Sequence, residues 1–216
     1  MLSPASPPRR EDWDRLDARL ARTDEDRWIS SRYASLEDRR SLLALYALNV
    51  ELARVRLVVS EPTLGAIRFQ WWRDAVEEIR VGGPVRKHDV VQALAARVAK
   101  NAYAPDALQR LIDRHEDAFE AGDRSLEPEA QLMAIAASIF APAHGWGEHI
   151  QALAPVYGAL RRGASKEFGP ILPRVPGDIR PAIAHARLRH AYSRGKTPGR
   201  IARRWLVLRA MVSGRV

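Results

Sequence analysis

The sequence predicts an all-α protein, and three observations carry that expectation. Apolar residues return every three or four positions, as in Leu42, Leu45, Tyr46 and Leu52 with Asn49 on the same face, the pattern of helices that turn one stripe to a core. No two-residue alternation persists, so no strand is expected. Between the periodic segments stand helix-breaking clusters such as Ser60-Glu61-Pro62-Thr63 and Gly82-Gly83-Pro84. A chain of 216 residues can bury roughly 70% of its unfolded surface. One domain over residues 11–216 is therefore expected, with seven to nine helices after a short disordered tail at residues 1–10.

Each element can be justified in turn. Trp13, Leu16 and Leu20 share a face over Glu11 to Arg22. Thr23 is expected to cap a second short helix whose Asp24, Glu25 and Asp26 suit the positive end of the helix dipole. Ser35 opens the next helix, with Asp38 three residues on in a capping-box position. Ser41 to Ile79 reads as a helical hairpin whose second arm, Leu64 to Val81, is capped by Thr63 and buries Ile67, Trp71, Val76 and Ile79. Adjacent Trp71 and Trp72 point about 100° apart, and Trp71, in line with Leu64 and Ile67, is expected to be the more buried.

Further helices are expected over Asp89 to Lys100 and from Pro105 to a stop at Gly122, the latter with Leu108, Leu111, Ile112, His115 and Phe119 inward. Others run from Pro128 to Phe140 and from Glu148 to Arg162, with a kink at Pro155. Gly163 to Pro181 is too rich in Gly and Pro for regular structure. Two basic helices, Ala182 to Tyr192 and Arg200 to Val212, close the chain.

Charge is distributed unevenly. From Arg161 onward 14 Lys and Arg face two acids, a surplus of 12, while the first 160 residues hold 21 cations and 24 acids. The basic segment 161–216 points to an anionic partner. In the last helix Ile201, Trp205, Leu208 and Val212 form one face, with Arg200, Arg203, Arg204 and Arg209 beside it. Packing of that face on the bundle and docking on an anionic membrane both explain the stripe, and packing alone does not ask for four arginines. Nucleic acid is disfavoured, because aromatics other than Tyr192 and Trp205 do not interleave the basic residues.

Composition narrows the chemistry. There is no cysteine, which excludes disulfides and thiolate metal sites. No apolar run is long enough to span a membrane. The six histidines, His88, His115, His144, His149, His185 and His190, form no i,i+4 pair. Asp113, Glu116, Asp117 and Glu120 offer i,i+4 carboxylate pairs, but they lie opposite the apolar stripe of their helix and read as a solvated face. No protein metal site is assigned.

Between Asp24 and Ile79 the residues DRW, RYA, RR, LLALYALNVELARV and EPTLGAIRFQWWRDAVEEI follow one another. This order resembles the N-terminal part of the squalene/phytoene synthase family, over some fifty residues, and the likeness continues more loosely through LIDRHEDAF and YGALR. The resemblance implies an all-α helical bundle of the prenyl synthase type, here C-terminally shortened. It also implies Mg²⁺-assisted condensation of isoprenoid diphosphates, because a departing diphosphate needs divalent cations held by several carboxylates. At the positions of the family's first aspartate motif, however, stand Ala53, Arg54 and Leu57, with only Glu51 nearby. Around the second, Arg161 matches an arginine but is followed by Arg162.

Asn49-Val50-Glu51-Leu52-Ala53 and Ser60-Glu61-Pro62-Thr63-Leu64-Gly65 are similar instead to a non-catalytic branch of the family, the respiratory complex I assembly factors. The expected function is accordingly a pseudoenzyme that binds a lipid or protein partner and assists assembly of a membrane respiratory complex. It would need no cofactor. The alternative is a Mg²⁺-dependent prenyl transferase. Candidate cavity or partner contacts are Tyr46, Asn49, Glu51, Trp71, Trp72, Arg73 and Arg161. The expected location is cytoplasmic, peripheral at the inner membrane, ahead of a mitochondrial matrix.

Overall fold

The computed structural model describes residues 8–122 and 128–216; the tail expected at residues 1–10 lies mostly outside them. Every regular element among the described residues is helical. The chain forms two compact units. Unit 1 is built from the residues up to Asp24 and from Arg40–Pro128, and unit 2 from Glu25–Arg39 and Glu129–Val216.

Unit 1 contains α1 (Arg10–Thr23), most of α3 (Leu36–Val58), α4 (Pro62–Arg80), α5 (Asp89–Val98) and α6 (Pro105–Glu120). α1 buries Trp13, Leu16 and Leu20, as the spacing predicts. α3 is one continuous helix that joins the helix expected from Ser35 to the first arm of the hairpin. Ser35 Oγ accepts a bond from the Asp38 amide at 3.2 Å and donates to its carboxylate, so Ser35 caps the start of the helix. From Ser41 to Leu48 every residue of α3 is buried, so it is core on all sides rather than striped. Thr23 does not cap α2; its hydroxyl bonds the Arg19 carbonyl at 3.0 Å and it closes α1.

α4 departs from the expected register at both its start and its face. Pro62 occupies the first turn with Glu61 before it, because proline's missing N–H costs nothing there; Thr63 is already helical. The buried face is Gly65, Phe69, Trp72, Ala75 and Val76. Trp72 is 5% exposed and Trp71 36%, while Leu64 and Ile67 also face out. The expected order of the two tryptophans is thus reversed. α4 bears two apolar stripes, and the one containing glycine is chosen because it lets the helix approach α6.

A β-carbon on Gly65 would run into the Phe119 ring of α6, and Phe69 packs on the same ring with centroids 5.8 Å apart. Gly65→Ala is therefore expected to destabilise the chain by ~1–3 kcal/mol, despite alanine's better helix propensity. Urea unfolding checks this, and adding Phe119→Leu should restore part of the loss.

Unit 2 contains α2 (Glu25–Ser31), α7 (Glu129–Ser138), α8 (Gly147–Arg161), α9 (Arg180–Ile183), a 3₁₀ turn (Ala184–Leu188), α10 (Arg189–Tyr192) and α11 (Arg200–Ser213). The basic helix expected over Ala182 to Tyr192 is broken into three short pieces. α8 runs through Pro155.

Charged groups hold this unit's interior. Asp26, 2% exposed, accepts hydrogen bonds from Tyr157 at 3.0 Å and Tyr192 at 2.6 Å. Arg161 and Arg203 flank it at 3.6 and 3.5 Å. Burial first, then the Asp26 charge, pushes the Tyr192 phenol up. Arg27 and Glu129 form a second buried pair. Buried Arg189 donates to the carbonyls of Phe168, Pro170 and Val216, each at 3.1 Å, and its guanidinium lies 4.3 Å from the Phe168 ring centre. These bonds fix the Gly- and Pro-rich segment around Phe168 and Pro170 without regular structure.

α11 ends at Gly214, whose φ of 69° favours glycine. Val175 donates to the Gly214 carbonyl at 2.7 Å, and Arg180 donates to the carbonyls of Met211 and Val212. α11 buries Val207 and Ala210, not the stripe of Ile201, Trp205 and Val212, all of which face out. The packing of α11 within unit 2 therefore leaves most of that stripe uncovered, with Leu208 half-buried. Arg203 also turns inward, to Glu25 at 2.6 Å, and drops out of the surface basic set.

Candidate functional site

The site grows from the end of α3 and the start of α4, both in unit 1. The last two turns of α3 present Glu51, Arg54, Val55 and Val58, and α4 presents Arg68, Trp71 and Trp72 across from them. With His88, which precedes α5, they line a cleft of about 350 Å³. The spacing explains the grouping. Residues 51, 54, 55 and 58 recur at three or four along α3, and 68, 71 and 72 do so along α4, so each set shares a helix face.

The walls are aromatic. His88 meets the edges of Trp71 and Trp72 at ring distances of 5.6 and 5.2 Å. Behind them Arg86 lies 4.9 Å from the Trp71 ring centre and donates to the Trp71 carbonyl at 3.0 Å. A two-pronged bond to Glu78, both contacts 2.8 Å, raises the Arg86 pKa and fixes it there.

The rim is cationic. Arg54 and Arg68 are exposed. The one carboxylate in the lining, Glu51, sits 3.4 Å from Arg19, which also reaches Asp89 at 3.3 Å. Such a site suits an anionic or aromatic group.

The cleft gathers Glu51, Arg54, Trp71 and Trp72 from the expected set. Ala53 is half-buried beside it and Leu57 is 71% exposed on the same helix end. Tyr46 is core. Asn49 Oδ1 accepts a 3.0 Å bond from His115 Nε2, a polar tie between α3 and α6. Arg73 is held by Asp113 at 2.9 Å and by Glu116. Its hydrogen bond to Glu116, larger than the opposing effect of burial, raises the Arg73 pKa. Asp113 and Glu116 are thus a clasp for α4, rather than only a solvated face. Arg161 belongs to the Asp26 network of unit 2.

Arg68 and His88 were not anticipated. Arg68 could have been found, since it lies three and four residues before the tryptophans. His88 had no local signal.

A divalent metal of the kind that diphosphate chemistry needs does not fit this donor set. Arg54 and Arg68 repel it, and Glu51 stands alone among the lining side chains. Among the described residues no group of three or more His, Asp or Glu is placed to hold a metal. No helix among them is long and apolar enough to cross a membrane.

The family described as Squalene/phytoene synthase matches residues 20–134, more than half of the chain. NADH dehydrogenase (ubiquinone) complex I, assembly factor 6, from mouse is 36% identical over 97 residues; the rat and human proteins are 37% and 33% identical over the same length. These matches cover 45% of this chain and 29% of each relative, so it spans under a third of the curated proteins it resembles. No solved structure matches. With the helical architecture and the match through both arms of the cleft, the chain belongs to the squalene/phytoene synthase family.

Proposed function

We propose that this chain is a non-catalytic member of its family that binds a protein partner and assists assembly of a membrane respiratory complex. One observation carries the reading. Where isoprenoid diphosphate chemistry needs a cage of carboxylates, the α3–α4 cleft offers Arg54 and Arg68 on aromatic walls, with Glu51 beside Arg19. The resemblance to complex I assembly factors supports the choice of complex. A partner of that kind places the chain at an inner-membrane surface, and no cofactor is needed for the task.

The test has two arms. Purified protein with farnesyl or geranylgeranyl diphosphate and Mg²⁺ is expected to release no pyrophosphate beyond a heat-killed control. In cells of the source, loss of the chain should lower the amount of assembled NADH dehydrogenase complex on native gels, with the wild-type chain restoring it and Arg54→Glu/Arg68→Glu failing to. Pyrophosphate release would revive the prenyl transferase reading. Normal complex levels without the chain would remove the assembly role.

A further inference from the structure

α11 carries a surface that its packing within unit 2 does not use. With Val207 and Ala210 turned inward, Ile201, Trp205 and Val212 are 74%, 67% and 74% exposed. Together with half-buried Leu208 they fall within about 60° of one another on a helix that turns 100° per residue. Arg204 and Arg209 stand on opposite flanks of that stripe, both exposed. Scattered apolar residues on a surface need no explanation, but a continuous stripe does.

The ground beside the stripe is densely cationic. No acidic residue follows Asp178 in the sequence. α11 packs on the 3₁₀ turn that carries Arg187. Burial first, then the charges of Arg209, Arg215 and Arg194, push the Arg187 guanidinium below its ordinary value. Arg187 donates to His190 Nε2 at 2.9 Å. Burial, with Arg187, Arg189 and Arg194 around it, holds the His190 imidazole down at about 4, against a weaker opposing bond to the Val216 backbone. Three elements thus bring like charges together at one edge of α11, at a cost that an anion would relieve.

We propose that this face of α11 docks unit 2 on an anionic phospholipid surface. Trp205, Ile201, Leu208 and Val212 enter the headgroup–acyl boundary, while Arg194, Arg204, Arg209 and Arg215 meet lipid phosphates. A protruding tryptophan on an apolar stripe with arginines on both flanks fits a plane that is apolar below and anionic above. Nucleic acid would satisfy the arginines and leave the stripe in water. The proposal concerns unit 2 and stands whether or not the unit 1 cleft is catalytic.

The full chain is mixed with vesicles of phosphatidylcholine alone or of phosphatidylcholine with phosphatidylglycerol, and sedimented. Binding is expected only to the phosphatidylglycerol vesicles and weakens as salt rises. Arg204→Glu/Arg209→Glu should lower it roughly tenfold or more, and Ile201→Ser/Trp205→Ser should also weaken it. Circular dichroism of both variants should match the wild type, because these side chains are exposed. The proposal fails if the wild type stays in the supernatant or binds both vesicle types equally. It fails too if either variant unfolds, which would make the stripe part of the core. Full binding by Ile201→Ser/Trp205→Ser, with polyglutamate displacing the protein, would assign the surface to an acidic protein instead.

Discussion

Asp26→Ala is expected to cost this protein ~3–5 kcal/mol of stability, read as a fall in the urea midpoint at neutral pH. The carboxylate is buried and takes hydrogen bonds from Tyr157 and Tyr192, with Arg161 and Arg203 against it. Its removal leaves two phenol donors without their acceptor and two guanidiniums short of a counter-charge. Arg203 keeps Glu25 and part-exposed Arg161 can reach water, so the loss should fall near the lower end of the range. Asp26→Asn preserves shape and one acceptor, and should cost less. Equal losses from both substitutions would mean that charge dominates and the phenol bonds contribute little. No loss from either would refute the network as a stabilising element.

Trp72→Ala should be comparably damaging, at ~3–5 kcal/mol, whereas Trp71→Ala should cost about 1 kcal/mol. Trp72 fills the inner face of α4 and is nearly inaccessible; Trp71 is over a third exposed. Trp71 gives up mainly its edge contact with Trp72 and its stacking with Arg86. Urea unfolding of the two single variants decides the order. A larger loss at Trp71 would put the outer stripe of α4 in the core after all.

The helices were legible because their signals are local. Ser35 with Asp38, Pro105, and the spacing of Trp13, Leu16 and Leu20 each act within a turn or two, and each appears as expected. The errors have physical causes. Segment 180–192 has helical periodicity, but buried Arg189 must reach three carbonyls from one place, and the chain bends through a 3₁₀ turn to allow it. Thr63 was a good cap in isolation, yet Pro62 beside it is better suited to the first helical turn.

The candidate site was half legible. The tryptophans stood out because they match the resemblance, and Arg54, with Glu51 nearby, because it departs from it. His88 could not be found, since it reaches the tryptophans across a loop with no fixed spacing. Arg203 looked like its neighbours on α11 until Glu25 and Asp26, nearly 180 residues away in sequence, took it inward.

By itself the sequence determined the helical class and the family, because periodicity, capping and residue identity are properties of short stretches. Only the tertiary structure decided which of two apolar stripes each of α4 and α11 buries. A helix with apolar residues on two sides has no local preference between them. Gly65 admits Phe119 on one side of α4, and on α11 the pull of Glu25 and Asp26 on Arg203 brings the Val207–Ala210 side inward. Those long-range contacts leave Trp71 at a cleft and Trp205 on an open face.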